Sequence, residues 1–333
     1  MSDTDPSIRT AIQAGGLFRE LTLDPLPNTG NNRVFRLEAP EGTFLVKQYF
    51  QHPDDPRDRF AAERAFYTCL WNAGIRRIPE PVQWLGGERL AIFEFLFGEK
   101  PTVADAAMVA QALDFFREMN AARNTATALP PASESCFSLR EHIECVGRRV
   151  ARLAGIQPGT EIDRKAIEFV AGGINPVWKN VEDAITAGAS ADALDAKIPQ
   201  EARCISPSDF GFHNSMKKRD GTLRFFDFEY AGWDDPARTI CDFFCQPAVP
   251  VDHSLLDVFL AGFLEEFPHI RLEERVRSLF PLYQIKWCCI MLNEFLPVSA
   301  ARRRFAHGPV DEARRRAEQL AKAEKLCSAI HQT

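Results

Sequence analysis

Short, mostly apolar runs separated by glycine and proline occupy the first part of the chain. Runs of this kind, bounded by turn residues, are typical of β-strands. A Pro-Glu-Gly turn separates the first two runs, and a Gly-Gly pair separates the next two. A helical pattern over 57–72, which Gly74 ends, lies between the two pairs. The sequence therefore predicts a small β-rich unit with a short helix within residues 1–20 and strands at 34–37, 43–50, 82–85 and 90–95.

The pattern changes at residues 97–101, which read Phe-Gly-Glu-Lys-Pro. Beyond this break the chain has mainly helical patterns, and strand signals are confined to 202–205 and to a hairpin after Asn214. The predicted helices cover 103–123, 137–154, 161–189, 252–266, 272–297 and 309–331. We expect a two-lobed α+β protein, with a β-rich lobe at 1–96, a mainly helical lobe at 97–333 and a cleft at the break.

The composition supports packed cores and excludes several classes of protein. Hydrophobic residues make up 45% of the 333, and the 26 phenylalanines argue against disorder. A net charge of −6 provides no basic surface for nucleic acid or anionic lipid, so we expect neither partner. No apolar run is long enough to cross a membrane, and the N-terminus lacks a signal-peptide pattern. The nine cysteines have no metal-like spacing and indicate reduced thiols, so a cytoplasmic location is expected. The sequence does not indicate an oligomeric state.

Two acidic segments in the second lobe carry the candidate chemistry. Asp209 lies in Ser-Pro-Ser-Asp-Phe-Gly-Phe-His-Asn, which ends at Asn214, and Asp227 lies in Phe-Asp-Phe-Glu-Tyr. The Asp-Gly pair at 220–221 is a strong hairpin signal, and such a hairpin returns Asp227 to Asn214. In that arrangement Asp209 can take the proton of an acceptor hydroxyl, while Asn214 and Asp227 can hold Mg²⁺ on nucleotide phosphates. Taken singly, Asp209 also suits a turn or helix cap.

Lys47 and Glu63 form a candidate phosphate-binding pair in the first lobe. Lys47 lies in a mostly apolar strand, where a buried charge needs a partner. Glu63 shares a helical stripe with apolar residues, and a Lys–Glu pair orients the phosphate-binding lysine of kinases. The alternatives are an edge-strand lysine that reaches water, and a solvated Glu63 that pairs with Arg59.

Two further segments are candidates for nucleotide binding. Gly30, Asn31 and Asn32 precede the strand at 34–37, where kinase-type loops cover phosphates with backbone N–H groups. Taken alone, this motif is weak and suits a plain turn. Glu94 and Leu96 lie at the lobe junction, where backbone groups can bond the edge of an adenine. No G-x-x-x-x-G-K-[ST] motif occurs, which disfavours a P-loop enzyme.

Together these residues resemble the aminoglycoside phosphotransferase and choline kinase-like superfamily, the small-molecule relatives of protein kinases. The resemblance runs from about residue 21 to residue 244 and is strongest from Asp209 to the Asp-Pro at 235–236. It implies a protein-kinase-like fold, with ATP and Mg²⁺ as cofactors and a small-molecule hydroxyl acceptor. The roles it implies are catalytic base for Asp209, magnesium ligands for Asn214 and Asp227, phosphate binding for Lys47, orientation of that lysine for Glu63, and support of the catalytic loop for Asp242.

The sequence departs from this family just before the catalytic aspartate. The family's segment usually begins His-Gly-Asp, whereas Pro207-Ser208 precede Asp209 here. His213 either takes part of the supporting role of the missing histidine or is a plain loop histidine. The departure leaves a catalytically silent nucleotide-binding pseudokinase as an alternative. A protein kinase is less favoured, because Asp235-Pro236 follows Asp227 without a long activation segment.

The acceptor is the least determined part of this hypothesis. A sugar or amino sugar is slightly preferred, and an aminoglycoside or an amino alcohol such as choline also suits the resemblance. Lys286 and Asn293 share one face of a predicted helix and are candidates for contact with the acceptor. A partly solvated helix face is the favoured interpretation of these two residues.

Overall fold

An antiparallel five-stranded sheet forms the N-terminal part of the protein. The computed structural model describes residues 6–27, 32–51, 57–267, 270–296 and 312–330. The strands are β1 (Thr22–Pro25), β2 (Arg33–Ala39), β3 (Gly42–Gln48), β4 (Pro81–Leu85) and β5 (Leu90–Glu94). Their order in the sheet is β1-β2-β3-β5-β4, which places β3 in the centre. Helix α1 (Pro6–Ala14) precedes the sheet, and α2 (Arg59–Asn72) connects β3 to β4.

The four strands predicted from the sequence are present, and β1 is an additional one. Only Leu23 of β1 is buried, so this short strand has too little apolar pattern to predict. Its pairing with β2, from Thr22 opposite Glu38 to Pro25 opposite Phe35, defines it instead. Strand formation here depends on pairing with β2 and not on the local sequence, because β-propensity depends strongly on context.

Helix α2 packs against the sheet through the stripe that the sequence indicates. Its N-terminus is capped by the Asp58 side chain, which accepts a hydrogen bond from the Ala61 amide. The stripe residues Phe60, Glu63, Tyr67 and Leu70 are all buried. Glu63 is therefore buried, and the solvated alternative for this residue is wrong.

The C-terminal part is mainly helical. Its helices are α3 (Ala106–Ala121), α4 (Leu139–Arg152), α5 (Glu161–Phe169), α6 (Asn175–Ala187), α7 (Ala191–Asp195), α8 (Pro236–Cys245), α9 (Leu256–Leu264), α10 (Leu272–Leu292) and α11 (Glu312–Ile330). The predicted helix over 161–189 is interrupted by a π-helical segment, Val170–Ile174. Gly172 and Gly173 weaken the helix there, and Pro176 cannot donate the backbone hydrogen bond that a continuous α-helix needs.

Two small antiparallel pairs of strands lie within the helical part. Strands β7 (Ser215–Lys217) and β8 (Leu223–Phe225) form the hairpin that the Asp-Gly pair predicts, and Gly221 at its turn has a φ of 85°. Strand β6 (Cys204–Ser206) pairs with β9 (Gly232–Asp234). The sequence pattern missed β9, because its three residues carry no alternation and are fixed by pairing alone. None of the described helices is long and apolar enough to span a membrane.

Gly98 lies where the chain leaves the sheet and approaches the hairpin. A Cβ atom at this position would lie 2.4 Å from the carbonyl oxygen of Lys217, which bonds the neighbouring Glu99. We therefore expect Gly98→Ala to lower the free energy of unfolding by about 1–3 kcal/mol, as overpacking does in general. Urea denaturation measures this change, and Gly87→Ala is the control, because a Cβ at Gly87 meets no atom within 4 Å. Equal stability of the two variants would contradict the prediction.

Candidate active site

The two acidic segments meet beside the hairpin. The amide of Phe226 donates a 3.0 Å hydrogen bond to the carbonyl oxygen of Asn214, so the residue before Asp227 is bonded to Asn214 itself. Phe210 and Phe228, which follow Asp209 and Asp227 directly, are both buried. These rings anchor the backbone, while about a third of each aspartate side chain stays exposed: 34% for Asp209 and 32% for Asp227. Both carboxylates are therefore rigidly mounted and accessible.

Asp209 is held by two side chains of its own loop. His213 Nε2 lies 3.2 Å from one carboxylate oxygen, and Asn214 Nδ2 lies 3.3 Å from the other and 3.0 Å from the Asp209 carbonyl oxygen. Burial raises the pKa of Asp209, but the adjacent His213 and these hydrogen bonds outweigh it and lower the pKa below its usual value. The group is therefore ionised at neutral pH and can accept a proton.

Lys47 joins the sheet to the second acidic segment. Its Nζ lies 2.6 Å from Glu63 Oε2 and 2.5 Å from Asp227 Oδ1, and its side chain is only 8% exposed. Burial lowers the pKa of Lys47, but the surrounding carboxylates outweigh it and raise the pKa well above its usual value. Lys47 is thus a permanent cation, and the alternative of an edge-strand lysine that reaches water is wrong. Glu63 is fixed further by the amide of Phe228, 2.9 Å from Oε1.

Glu229 is a buried site residue that the sequence reasoning missed. It lies two positions after Asp227, and its carboxylate is 3.8 Å from Lys47 Nζ and 3.6 Å from Arg59 Nε. Asn32 Nδ2 donates a 2.5 Å hydrogen bond to it. The signal available in the sequence was a carboxylate between Phe228 and Tyr230, in an otherwise apolar run. Glu229 therefore ties the start of β2 to the segment that carries Asp227.

The structure describes some of the residues predicted to contact the nucleotide and not others. Gly30 and Asn31 lie outside the described residues. Asn32 is buried and bonds Glu229 and the Phe50 amide. The Glu94 amide donates to Glu80, and its side chain accepts from Arg224 at 2.7 Å. Leu96 is half-buried just beyond the end of β5. Nucleotide contact by these residues stays a prediction.

Asp242 lies at the centre of a buried ionic network below the Asp209 loop. Both of its carboxylate oxygens accept from Lys286 Nζ, at 2.8 and 2.7 Å, and Arg238 Nε lies 3.4 Å away. Arg238 also donates to Ser208 Oγ at 3.1 Å, which connects Asp242 to the residue preceding Asp209. The favoured interpretation of Lys286 as part of a solvated face is wrong, because this side chain is buried on Asp242. Burial of the Lys286 ammonium group among apolar side chains is possible because the Asp242 carboxylate compensates its charge.

The donors on the two segments fit a magnesium ion. The side-chain nitrogen of Asn214 donates hydrogen bonds to Asp209. Its side-chain oxygen accepts no hydrogen bond within the described part of the chain. Asp227 adds an accessible carboxylate whose described partner is Lys47. Mg²⁺ in kinases typically takes one or two protein oxygens and completes its shell with phosphates and water. The Asn214 amide oxygen and the Asp227 carboxylate, on segments joined by the Phe226–Asn214 backbone bond, are donors of the required type.

Comparison of the sequence with protein-family models identifies the family of this chain. The model of the phosphotransferase enzyme family (APH) matches residues 22–279, which include the sheet, both acidic segments and Asp242. The chain belongs to this family. It is therefore a small-molecule phosphotransferase that acts on hydroxyl groups. A search of curated protein sequences gave no significant match.

Solved structures with the same fold agree with the family. A spectinomycin phosphotransferase in complex with ADP and spectinomycin superposes with a TM-score of 0.64 at 9% identity, covering 100% of both chains. A choline kinase from Cryptosporidium parvum Iowa II gives 0.58 at 13% identity, covering 98% of this phosphotransferase and 97% of that chain. A putative aminoglycoside phosphotransferase from Ralstonia eutropha JMP134 gives 0.59 at 13% identity, covering 97% and 98%. At these identities the likeness concerns the fold, which is protein-kinase-like with an antiparallel sheet and a larger helical part.

Proposed function

We propose that this phosphotransferase transfers the γ-phosphate of ATP to a hydroxyl of a small polar molecule, with Mg²⁺ as the metal. One observation carries the proposal. Asp209 and Asn214 share a hydrogen bond, and the adjacent Asp227 is bonded to Lys47, which is in turn bonded to Glu63. The candidate base is thus bonded to one candidate metal ligand, and the candidate phosphate-binding lysine is bonded to the other. The backbone bond from Phe226 to Asn214 joins the two groups, which are the parts that phosphoryl transfer requires.

Each residue has a role that follows from its contacts. Asp209 is the catalytic base, because it is ionised and a third of its side chain is exposed. Lys47 holds the nucleotide phosphates, and buried Glu63 fixes the direction of its ammonium group. Asn214 and Asp227 are the magnesium ligands. The bound ion would neutralise charge that develops on the β- and γ-phosphates, and positioning by the protein supplies the rest.

Nucleotide binding is assigned to the sheet and acceptor binding to the helices. In this proposal residues 1–96 form the nucleotide-binding lobe and 97–333 form the acceptor-binding lobe. The adenine edge bonds the backbone near Glu94 and Leu96, and Asn32 belongs to the loop that covers the phosphates. All nine cysteines are free thiols, which supports a cytoplasmic location.

The acceptor that we favour is a sugar or amino sugar. Structures of the same fold carry names that include spectinomycin phosphotransferase, choline kinase and Plasmodium vivax ethanolamine kinase, so amino alcohols and aminoglycosides are the competing classes. A protein acceptor is disfavoured, because α8 begins at Pro236 and leaves only a short connection after Asp227 for peptide binding. A silent pseudokinase is disfavoured by the complete set of Asp209, Asn214 and Asp227.

Mg²⁺-dependent ADP release from ATP tests this function. The panel contains sugars, amino sugars, aminoglycosides, amino alcohols and a generic peptide mixture, each with and without Mg²⁺. We expect release that depends on one of the first four classes and on the metal. Preference for the peptide mixture would contradict the small-molecule acceptor, and nucleotide binding without release for any acceptor would favour the pseudokinase.

A further inference from the structure

A histidine occupies the side of Asp209 opposite Asn214. His213 Nε2 lies 3.2 Å from Oδ1 of Asp209, while Asn214 Nδ2 lies 3.3 Å from Oδ2. The single turn of 3₁₀-helix at Phe212–Asn214 places both side chains, and Phe212 anchors that turn because it is fully buried. Each oxygen of the candidate base is therefore held by a different residue of one rigid turn.

The position of the His213 ring is determined by the loop backbone. A Cβ atom on Gly211 would lie 2.7 Å from His213 Nδ1 and 2.8 Å from Cε1, which is closer than real side-chain contacts. The φ angle of Gly211 is 173°, an extended conformation that any residue adopts. A side chain at position 211 would therefore clash with the His213 ring, although the backbone conformation itself permits one. The imidazole ring thus packs directly on Gly211.

The backbone on the other side of Asp209 is supported by a different group. Arg238 Nη2 donates to Ser208 Oγ at 3.1 Å and to the carbonyl oxygen of Ser133 at 2.9 Å. Ser208 itself has a φ of 66°, a left-handed conformation that is uncommon for a serine and needs such support. Arg238 holds the loop, but it makes no contact with the carboxylate of Asp209 within the described residues.

We propose that His213 is a positioning residue that orients the Asp209 carboxylate toward the acceptor hydroxyl. The inference rests on the proposed function of Asp209 as the catalytic base. Arg238 fixes the backbone at Ser208, and His213 fixes the carboxylate directly.

A double-mutant cycle between His213 and Gly211 tests the proposal. His213→Ala removes the donor, and Gly211→Ala displaces the ring while leaving the histidine in the chain. With the best acceptor of the panel, we expect each variant to lower kcat about 10- to 100-fold, because small misplacements of reacting groups have effects of this size. We expect the double variant to be no slower than the slower single variant, since both remove the same contact.

Three further measurements separate positioning from general damage to the loop. His213→Gln keeps an N–H donor at similar reach and should recover most of the lost kcat. The dissociation constant of Mg·ATP, measured by calorimetry, should stay near the wild-type value in every variant, and a cooperative melting transition should show that each variant is folded. His253→Phe is the matched control, because His253 bonds the backbone carbonyl of Phe244, away from Asp209, and should keep full activity.

The outcomes distinguish this inference from the proposed function. Additive losses in the double variant, or equal losses for His213→Ala and His213→Gln in folded protein, would overturn the positioning role. An unchanged kcat in folded His213→Ala, while Asp209→Asn is inactive, would overturn it and leave the base assignment standing. Full activity of Asp209→Asn would overturn both.

Discussion

Asp209→Asn is expected to lower kcat about 10²- to 10⁴-fold, the range that general-base catalysis usually contributes. An amide cannot take the proton of the acceptor hydroxyl, although it has nearly the same shape as the carboxylate. The bond from Asn214 Nδ2 to the carbonyl oxygen of residue 209 does not involve the substituted group, so the magnesium ligand should stay in place. Mg·ATP should therefore bind with a nearly unchanged dissociation constant, which steady-state kinetics and calorimetry can measure together.

The matched control for this substitution is Asp220→Asn in the turn of the hairpin. The Asp220 carboxylate is exposed and accepts a hydrogen bond from the hydroxyl of Thr222. The side-chain oxygen of an asparagine can accept the same hydrogen bond. This variant should retain the wild-type kcat. If the Asp209→Asn variant is as active as the control, Asp209 is not the catalytic base, and the proposed mechanism has no proton acceptor.

Lys47→Met is expected to reduce both stability and nucleotide binding. The substitution leaves the buried carboxyl group of Glu63, which is 1% exposed, without its cation. Breaking a buried ion pair from one side typically costs about 3–5 kcal/mol of unfolding free energy. Urea denaturation should show this loss, and a titration with Mg·ATP should show much weaker binding because the phosphates lose their only assigned lysine.

The double variant Lys47→Met with Glu63→Gln separates the two effects. Removing the orphaned charge should recover part of the lost stability, because a buried neutral amide is less costly than an unpaired carboxylate. Nucleotide binding should not recover, since no cation has been restored. Lys165→Met is the stability control, because Lys165 pairs with Glu161 on an exposed helix surface and should change stability little. Equal stability of the single and double variants would contradict the buried-pair explanation.

The sequence could predict those site residues whose chemistry depends on spacing along the chain. The Asp-Gly turn sets the return of Asp227 to Asn214, and the apolar stripe of α2 sets the burial of Glu63. Both follow from local rules of turn chemistry and helical periodicity. The structure brings these residues together with Lys47, whose strand β3 lies in the middle of the sheet.

Other parts of the site depend on pairings between distant residues, which local patterns do not encode. Glu229 and Arg59 are 170 positions apart in the sequence, yet their side chains lie 3.6 Å from each other. The helical pattern of α10 favours a solvent-facing Lys286, whereas its side chain bonds Asp242 on α8. Strands β1 and β9 are likewise defined by their partners. Such features require a tertiary structure, because burial and charge compensation are properties of the pair.

The hairpin of β7 and β8 also has a mechanical consequence. It is bonded to α3, since the Gln111 side chain donates to Gly221 and accepts from Leu223. It is bonded as well to the segment before β4, since the amide of Phe225 donates to the carbonyl oxygen of Arg77 at 2.8 Å. Asn214 and Asp227 flank this hairpin at its open end, where the Phe226 amide bonds the carbonyl oxygen of Asn214. The hairpin therefore acts as a brace between the helical part and the segment that leads into the sheet, and both candidate metal ligands stand at its base.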